Sequence, residues 1–459
     1  MQLILENPSR ENVTLTRIPL SCALRYRRHS MRPIALFLFL AVATLSSALH
    51  AQPVIPLENR GGLHSAFVVP TDKFDRIDVQ LIVLSGAYDD PEPSGTAHLT
   101  EHLAAFSADA TVLRQPRERD IFASTSNVAT VYTNSGTVEQ LDQLLHLSRA
   151  VLDTPTLPKG FAESEISIVE REILLHERQY PHRWLRRLAL QNLYGSLRGR
   201  ADNAVDDLPQ LSLEKAYEFH KTHYVASNVI LIVSGKVDVD KVKEQVATIF
   251  GDTQATALPS KPWLNQKPIA NLNAVQSIKT DRIPRDTIYF AKFIDFEDRD
   301  SSYDMQGAFF LTSSILQKRL AKSVYYTDLR FIDFNSGWYF AVNADLEITI
   351  DVQLMPGFDL EVAHETLIAL VNDLLSEPIT AKEIQEARIE ELVNARESLR
   401  RPSMFLQFLK NLAADGFPPI TPSLYEELIN STSDQDVIYF ANTIVKSSPT
   451  SVILAEKVD

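Results

Sequence analysis

Residues 94–106 read SGTAHLTEHLAAF, placing two of the chain's 11 histidines four positions apart with a glutamate just before the second. On a helix, residues four apart share one face, so His98 and His102 can point at a single ion. Two imidazoles on a rigid helix suit Zn²⁺. Glu101 falls close to the same stripe and can reach a water at the ion without being a ligand. The alternative is a solvated polar face, and the flanking Ala, Leu and Phe residues make that an odd choice. The spelling His-x-x-Glu-His is the inverse of the better-known zinc-helix motif. A spacing this short also arises by chance, so the rest of the chain has to support it.

Outward from this helix the pattern is that of a mixed domain. HSAFVVP (64–70) and FDRIDVQLIVLSGAY (74–88) alternate apolar and polar residues and read as strands. PEPSG then breaks the chain, and Ser94 can cap the motif helix. NVATVYT (127–133) reads as another strand, followed by helices near 138–152, 161–179, 184–197 and 212–223. The apolar strand VILIVSG (229–235) and the amphipathic VDKVKEQVATIFG (239–251) close the unit. The plan repeats in outline: strands at TIYFAKFIDF (287–296) and GWYFAVNADLEITIDVQLM (337–355), a helix over 302–322, more helices, and a final strand at 451–455. This predicts an α+β fold of two homologous domains, 60–255 and 285–459, each a mostly antiparallel sheet packed with helices. The Pro-, Asn-, Gln- and Lys-rich stretch between them predicts a linker over 256–284.

Composition narrows the chemistry. Arg25, Arg27, Arg28 and Arg32 precede the apolar run Ile34–Ala48, which falls short of the ~20 residues that span a bilayer. Residues 1–51 therefore read as an N-terminal extension and a secretory signal peptide at about 31–51, with Met1 or Met31 as start and a cut after Ala48 or Ala51. This predicts a periplasmic protein with no stable membrane span after cleavage; the alternative is an N-terminal membrane anchor. Removing residues 1–51 takes the net charge from −14 to −18. No stretch carries the clustered Lys and Arg that a nucleic-acid partner needs. Cys22 is the only cysteine and lies in the extension, so a metal in the mature chain must use His and carboxylate ligands.

A catalytic zinc needs three protein ligands. FAESEISIVEREILLHERQ (161–179) spaces Glu163, Glu170 and Glu177 by seven, one carboxylate stripe beside Ile166, Val169 and Ile173. Taken alone that is a solvated face; beside the histidine pair it offers the missing ligand type.

Here the chain resembles the insulinase (pitrilysin-type) zinc metallopeptidases. GTAHLTEHLAAF is similar to the family's ligand and base segment, and Glu170-REILLH-Glu177 to its Glu-x6-Glu helix. FHKTHYVASNVILIVSGKVD (219–238) and PITAKEIQEAR (378–388) resemble further family segments. The resemblance implies one Zn²⁺ per chain on His98, His102 and Glu177, Glu101 as general base and Glu170 as the carboxylate orienting a histidine. It implies a zinc metalloendopeptidase cutting peptides inside a closed chamber, and a homodimer or a heterodimer with a related two-domain subunit, since the family's chamber takes four such domains. A non-catalytic subunit for assembly or peptide binding is the other reading. The family also places an Arg and, seven residues on, a Tyr against the substrate. Arg319 and Tyr326 have that spacing, although a shifted register makes Arg319 structural. SNVATVYTNSGT (126–137) matches the family's Asn-Ala-x-Thr strand only loosely.

Overall fold

The computed structural model describes residues 52–458 except 92–93, 116–121, 196–209, 270–271, 295–305, 327–330, 341–345, 415, 417 and 447–448. The extension and signal segment expected at 1–51 lie outside the described residues.

In the first half the strands are β1 (Ile55–Pro56), β2 (Ser65–Pro70), β3 (Ile77–Val83), β4 (Phe122–Thr125), β5 (Thr130–Gly136) and β6 (Val229–Gly235). They form one sheet in the order β1-β2-β6-β3-β5-β4. Its helices are α1 (Thr96–Val112), α2 (Leu141–Ala150), α3 (Lys159–Gln179), α4 (Pro181–Tyr194), α5 (Leu213–His223) and α6 (Val239–Phe250). The second half contributes β7 (Asn273–Thr280), β8 (Thr287–Ile294), β9 (Phe331–Phe340), β10 (Leu346–Leu354) and β11 (Thr450–Lys457), ordered β7-β11-β8-β10-β9. Its helices are α7 (Gln306–Tyr326), α8 (Leu360–Ser376), α9 (Ala381–Ser398), α10 (Pro402–Ala413), α11 (Pro422–Ser431) and α12 (Asp434–Lys446).

Setting aside the short β1, the two sheets have one topology. In each, the first strand lies parallel to the last, and all other neighbours are antiparallel. The expected α+β repeat is therefore a repeat of connectivity. Its boundary differs from the expected one, because β7 lies inside the stretch read as a linker. Only alternate residues of β7 are shielded, and its Asn, Gln, Ser and Lys resemble a loop in composition. The linker is also tied down: Trp263 is buried, and its Nε1 donates to Asp89 Oδ1 at 2.7 Å.

β3 and β6 are buried along their whole length, which requires cover on both faces. On one face of the first sheet lie α1, α2 and α6, with Ala97, Ala104, Leu145, Val246 and Phe250 in the core. The other face is covered by a helix from the second half: Phe405, Leu409 and Ala413 of α10 pack on Val69, Ile82, Ile230 and Ile232. The exchange is reciprocal. Leu185, Ala189, Leu190 and Leu193 of α4 pack on Tyr289, Ala291, Ile453 and Ala455 of the second sheet. Asn192 Nδ2 of α4 also donates to Gln276 and Ser451 there, at 3.1 and 3.2 Å. Among the described residues, no helix is long and apolar enough to cross a membrane.

Candidate metal centre

α1 enters through Gly95, whose φ of 95° lies in the left-handed region open to glycine. The first free N–H groups of the helix are taken by Asp90, whose carboxylate accepts from Gly95 N and Ala97 N, both at 2.6 Å. Thr100 Oγ1 then donates to the carbonyls of Thr96 and Ala216, fastening α1 to α5. The helix is almost wholly buried around Leu99, Leu103 and Ala104, so its few polar side chains are held in place by packing.

The structure brings His98, His102 and Glu172 together, with one ligand-type atom from each lying within 4.8 Å of the others. Glu172 Oε2 lies 3.4 Å from His98 Nε2 and 3.4 Å from His102 Nε2. Ligand atoms about 2.0–2.1 Å from a tetrahedral ion are separated by about 3.3–3.4 Å, so these edges have the size a Zn²⁺ site demands. His102 Nδ1 is bound to Glu165 Oε2 at 3.0 Å, which fixes the ring and aims Nε2 at the cluster. Burial pulls the His102 pKa down. The hydrogen bonds to Glu165 and Glu172 and the charge of Glu101 outweigh that and push it up to about 9. Burial likewise raises the Glu172 carboxyl, yet the two histidines hold it well below the usual carboxylate range. A pocket that keeps positive charge this firmly is suited to a cation, and two imidazoles with a carboxylate are a fitting donor set for zinc.

The expected third ligand is thereby corrected. Glu177 is not part of the cluster; it accepts from Arg282 Nη1 at 3.1 Å, linking the end of α3 to the loop between β7 and β8. Glu165, not Glu170, supports His102. The spacing of seven was sound but begins two residues later, at Glu165. The signal lay in the apolar stripe, since α3 buries Ala162, Glu165, Val169 and Ile173. A carboxylate inside such a stripe is costly unless paired, and that marks Glu165 and, one heptad on, Glu172.

Glu101 is 6% exposed, and its Oε2 accepts from Thr125 Oγ1 at 2.6 Å. Thr125 was not singled out from the sequence. It ends β4, a strand of four residues and the outermost of its sheet. The loose strand match at 126–137 therefore covers the turn and β5, while the strand beside Glu101 comes just before it.

Arg319 has a structural post. It is buried, and all five of its donors are used: two reach Glu383 at 2.7 and 2.9 Å, and three reach the carbonyls of Leu374, Glu377 and Pro378. It clasps the end of α8 to the start of α9 and has no donor left for a substrate. Tyr326 ends α7, and its side chain lies outside the described residues. Within α7, GAFFLTSSI (307–315) sets against GTAHLTEHL (95–103) so that Phe310, Ser313 and Ser314 stand where the first half has His98, Glu101 and His102. The repeat thus carries the metal-type residues in one half alone.

Residues 210–390 match the family described as "Peptidase M16 inactive domain", a stretch that starts after the cluster. The chain is 26% identical over 205 residues to an uncharacterized zinc protease, YmfH, of Bacillus subtilis, covering 43% of this chain and 47% of that one. It is 23% identical over 402 residues to an uncharacterized zinc protease of Rickettsia felis, covering 83% and 92%. In fold it is similar to a protease from Helicobacter pylori, with a TM-score of 0.68, 18% identity and cover of 88% and 99%. It is also similar to the Escherichia coli periplasmic protease PqqL, with a TM-score of 0.64 and 16% identity, where 88% of this chain spans 47% of that one. The matched stretch thus spans about half of the length of YmfH, and nearly the whole chain spans about half of the length of PqqL. The family match, the zinc-protease relatives and the shared two-sheet fold together support an insulinase/pitrilysin-type M16 family of half length for this chain.

Proposed function

We propose that this chain is a zinc-dependent peptidase cleaving peptides or short unfolded polypeptides, with one Zn²⁺ held by His98, His102 and Glu172. The observation that carries the reading is the pair of 3.4 Å edges from Glu172 Oε2 to the two Nε2 atoms, beside a buried carboxylate at Glu101. Zinc bound there supplies a Lewis acid that polarises a peptide carbonyl and acidifies water. Glu101 is the general base: its carboxylate takes a proton from the attacking water and hands it to the amine as the C–N bond breaks. Glu165 holds the His102 ring in the orientation that presents Nε2. The outer edge of β4 is unpaired among the described residues and offers backbone partners to an extended peptide.

The half-length relation to PqqL supports a working unit of two copies, or of this chain with a related two-domain subunit, enclosing the peptide in a chamber. The substrate-contacting arginine implied by the resemblance then comes from a residue other than Arg319. Cleavage of the segment at about 31–51 would deliver the protein to the periplasm, the compartment named for PqqL. The test is direct: the mature chain should carry one zinc and cut a mixed peptide pool, and Glu101→Gln should keep the zinc and lose the cutting. Full activity in that variant would refute the mechanism, and a zinc-loaded but inert wild type would favour the non-catalytic subunit.

A further inference from the structure

We propose that Thr125 is a positioning residue for Glu101, its hydroxyl holding the base carboxylate in the working orientation. The inference rests on the peptidase reading and adds a residue to it. Thr125 Oγ1 donates to Glu101 Oε2 at 2.6 Å, a charge-assisted bond at a nearly buried carboxylate. Such a bond selects one rotamer and leaves Oε1 to accept the proton.

The threonine is itself held. It is paired with Thr130 across β4 and β5, and their hydroxyls lie in packing contact 3.3 Å apart, each proton being committed elsewhere. Thr130 Oγ1 in turn donates to Ser85 O at 3.0 Å. The turn between the strands is fastened to the same segment, with Ala87 N donating to Ser126 O at 2.9 Å and Tyr88 N to Asn127 O at 2.8 Å. A Cβ on Gly86 would come within 2.2 Å of Ser126 O, so glycine is required for that approach. Asp90, at the end of this segment, caps α1. Residues 85–90 therefore anchor both the helix bearing Glu101 and the hairpin bearing Thr125. A shared anchor keeps hydroxyl and carboxylate in register, which is what a positioning contact needs.

The test compares Thr125→Val, which removes the hydroxyl at constant shape, with Thr125→Ser, which keeps it. Both are made in the full mature chain and assayed on an internally quenched ten-residue peptide of mixed sequence. For Thr125→Val, kcat should fall about 10–100-fold with KM within about twofold, and Thr125→Ser should recover kcat to within about threefold. Zinc per chain and the urea midpoint should match wild type in both. Crystals of the zinc-stripped proteins should show the Glu101 carboxylate displaced in Thr125→Val and in place in Thr125→Ser. An unchanged kcat in Thr125→Val while Glu101→Gln is inert overturns the inference. So does a loss of zinc or folding that serine does not repair, since Thr125 would then be structural. Activity persisting in Glu101→Gln overturns the peptidase reading instead.

Discussion

Removing carboxylates from α3 one at a time should rank them by their distance from the metal. Four-ligand structural zinc sites bind with about 10–16 kcal/mol, or about 2.5–4 kcal/mol per ligand. Glu172 touches both imidazoles through one oxygen, so Glu172→Ala should weaken zinc binding roughly 100–1000-fold. Glu165 acts through His102 Nδ1, and losing such an outer partner costs about 10–100-fold; Glu165→Gln belongs in that range. His98 has no comparable support, its Nδ1 being buried without a partner among the described residues. The site therefore leans on Glu165 for its orientation. Glu177 pairs with Arg282, whose side chain is 32% exposed. Glu177→Ala should forfeit at most about 1 kcal/mol of stability and leave zinc affinity within about twofold. Competition against a chromophoric chelator at pH 7.5 measures all three. If Glu177→Ala loses zinc as completely as Glu172→Ala, the assignment on α3 fails.

Arg319→Met should lower folding stability by about 1–3 kcal/mol, since it takes five hydrogen bonds from the partly exposed Glu383 and three carbonyls, while bound zinc stays at the wild-type level. Unchanged urea unfolding with lost turnover would instead make Arg319 a substrate contact. Phe405→Ala should cost about 3–5 kcal/mol by opening the seam between α10 and the first sheet; an unshifted melting temperature would deny that seam its weight. In zinc-stripped protein the His102 pKa is raised from 6.5 to about 9, so its contribution to stability is complete below about pH 6.5 and is lost as pH rises through 9. Urea midpoints should fall over that window in wild type and not in His102→Ala, and equal slopes in the two would refute the coupling.

Reading the sequence captured what depends on local pattern. β3, β6 and the motif helix were legible because alternation, an unbroken apolar run and a four-residue spacing are each properties of one segment. β4 and β7 were not. β4 is four residues long and turns straight into β5, too short a run to show alternation, and β7 is an edge strand with a loop's composition whose partner β11 lies at the far end of the chain. The candidate metal site divides in the same way. His98 and His102 sit on one helix and could be read directly, whereas the third residue depended on which face of α3 turns toward α1. Five glutamates on α3 offer two registers spaced by seven, and only the burial of Glu165 separates them. Arg319 shows the limit from the other side: its spacing to Tyr326 was suggestive, but the partners that occupy it come from α8 and α9.

The reciprocal placement of α4 and α10 has a consequence for how the protein could be divided. Each half, made alone, would present an uncovered sheet face and a helix with an exposed apolar stripe, the two features that drive aggregation. Mixed together, the halves hold complementary pieces. A chain nicked between Asp252 and Lys261, where most residues are exposed, should stay associated through the two exchanged helices. Separately expressed fragments should be insoluble alone and recover a zinc-binding complex when co-expressed. The peptide connection would then serve to set stoichiometry, and the crossed helices to hold the molecule together.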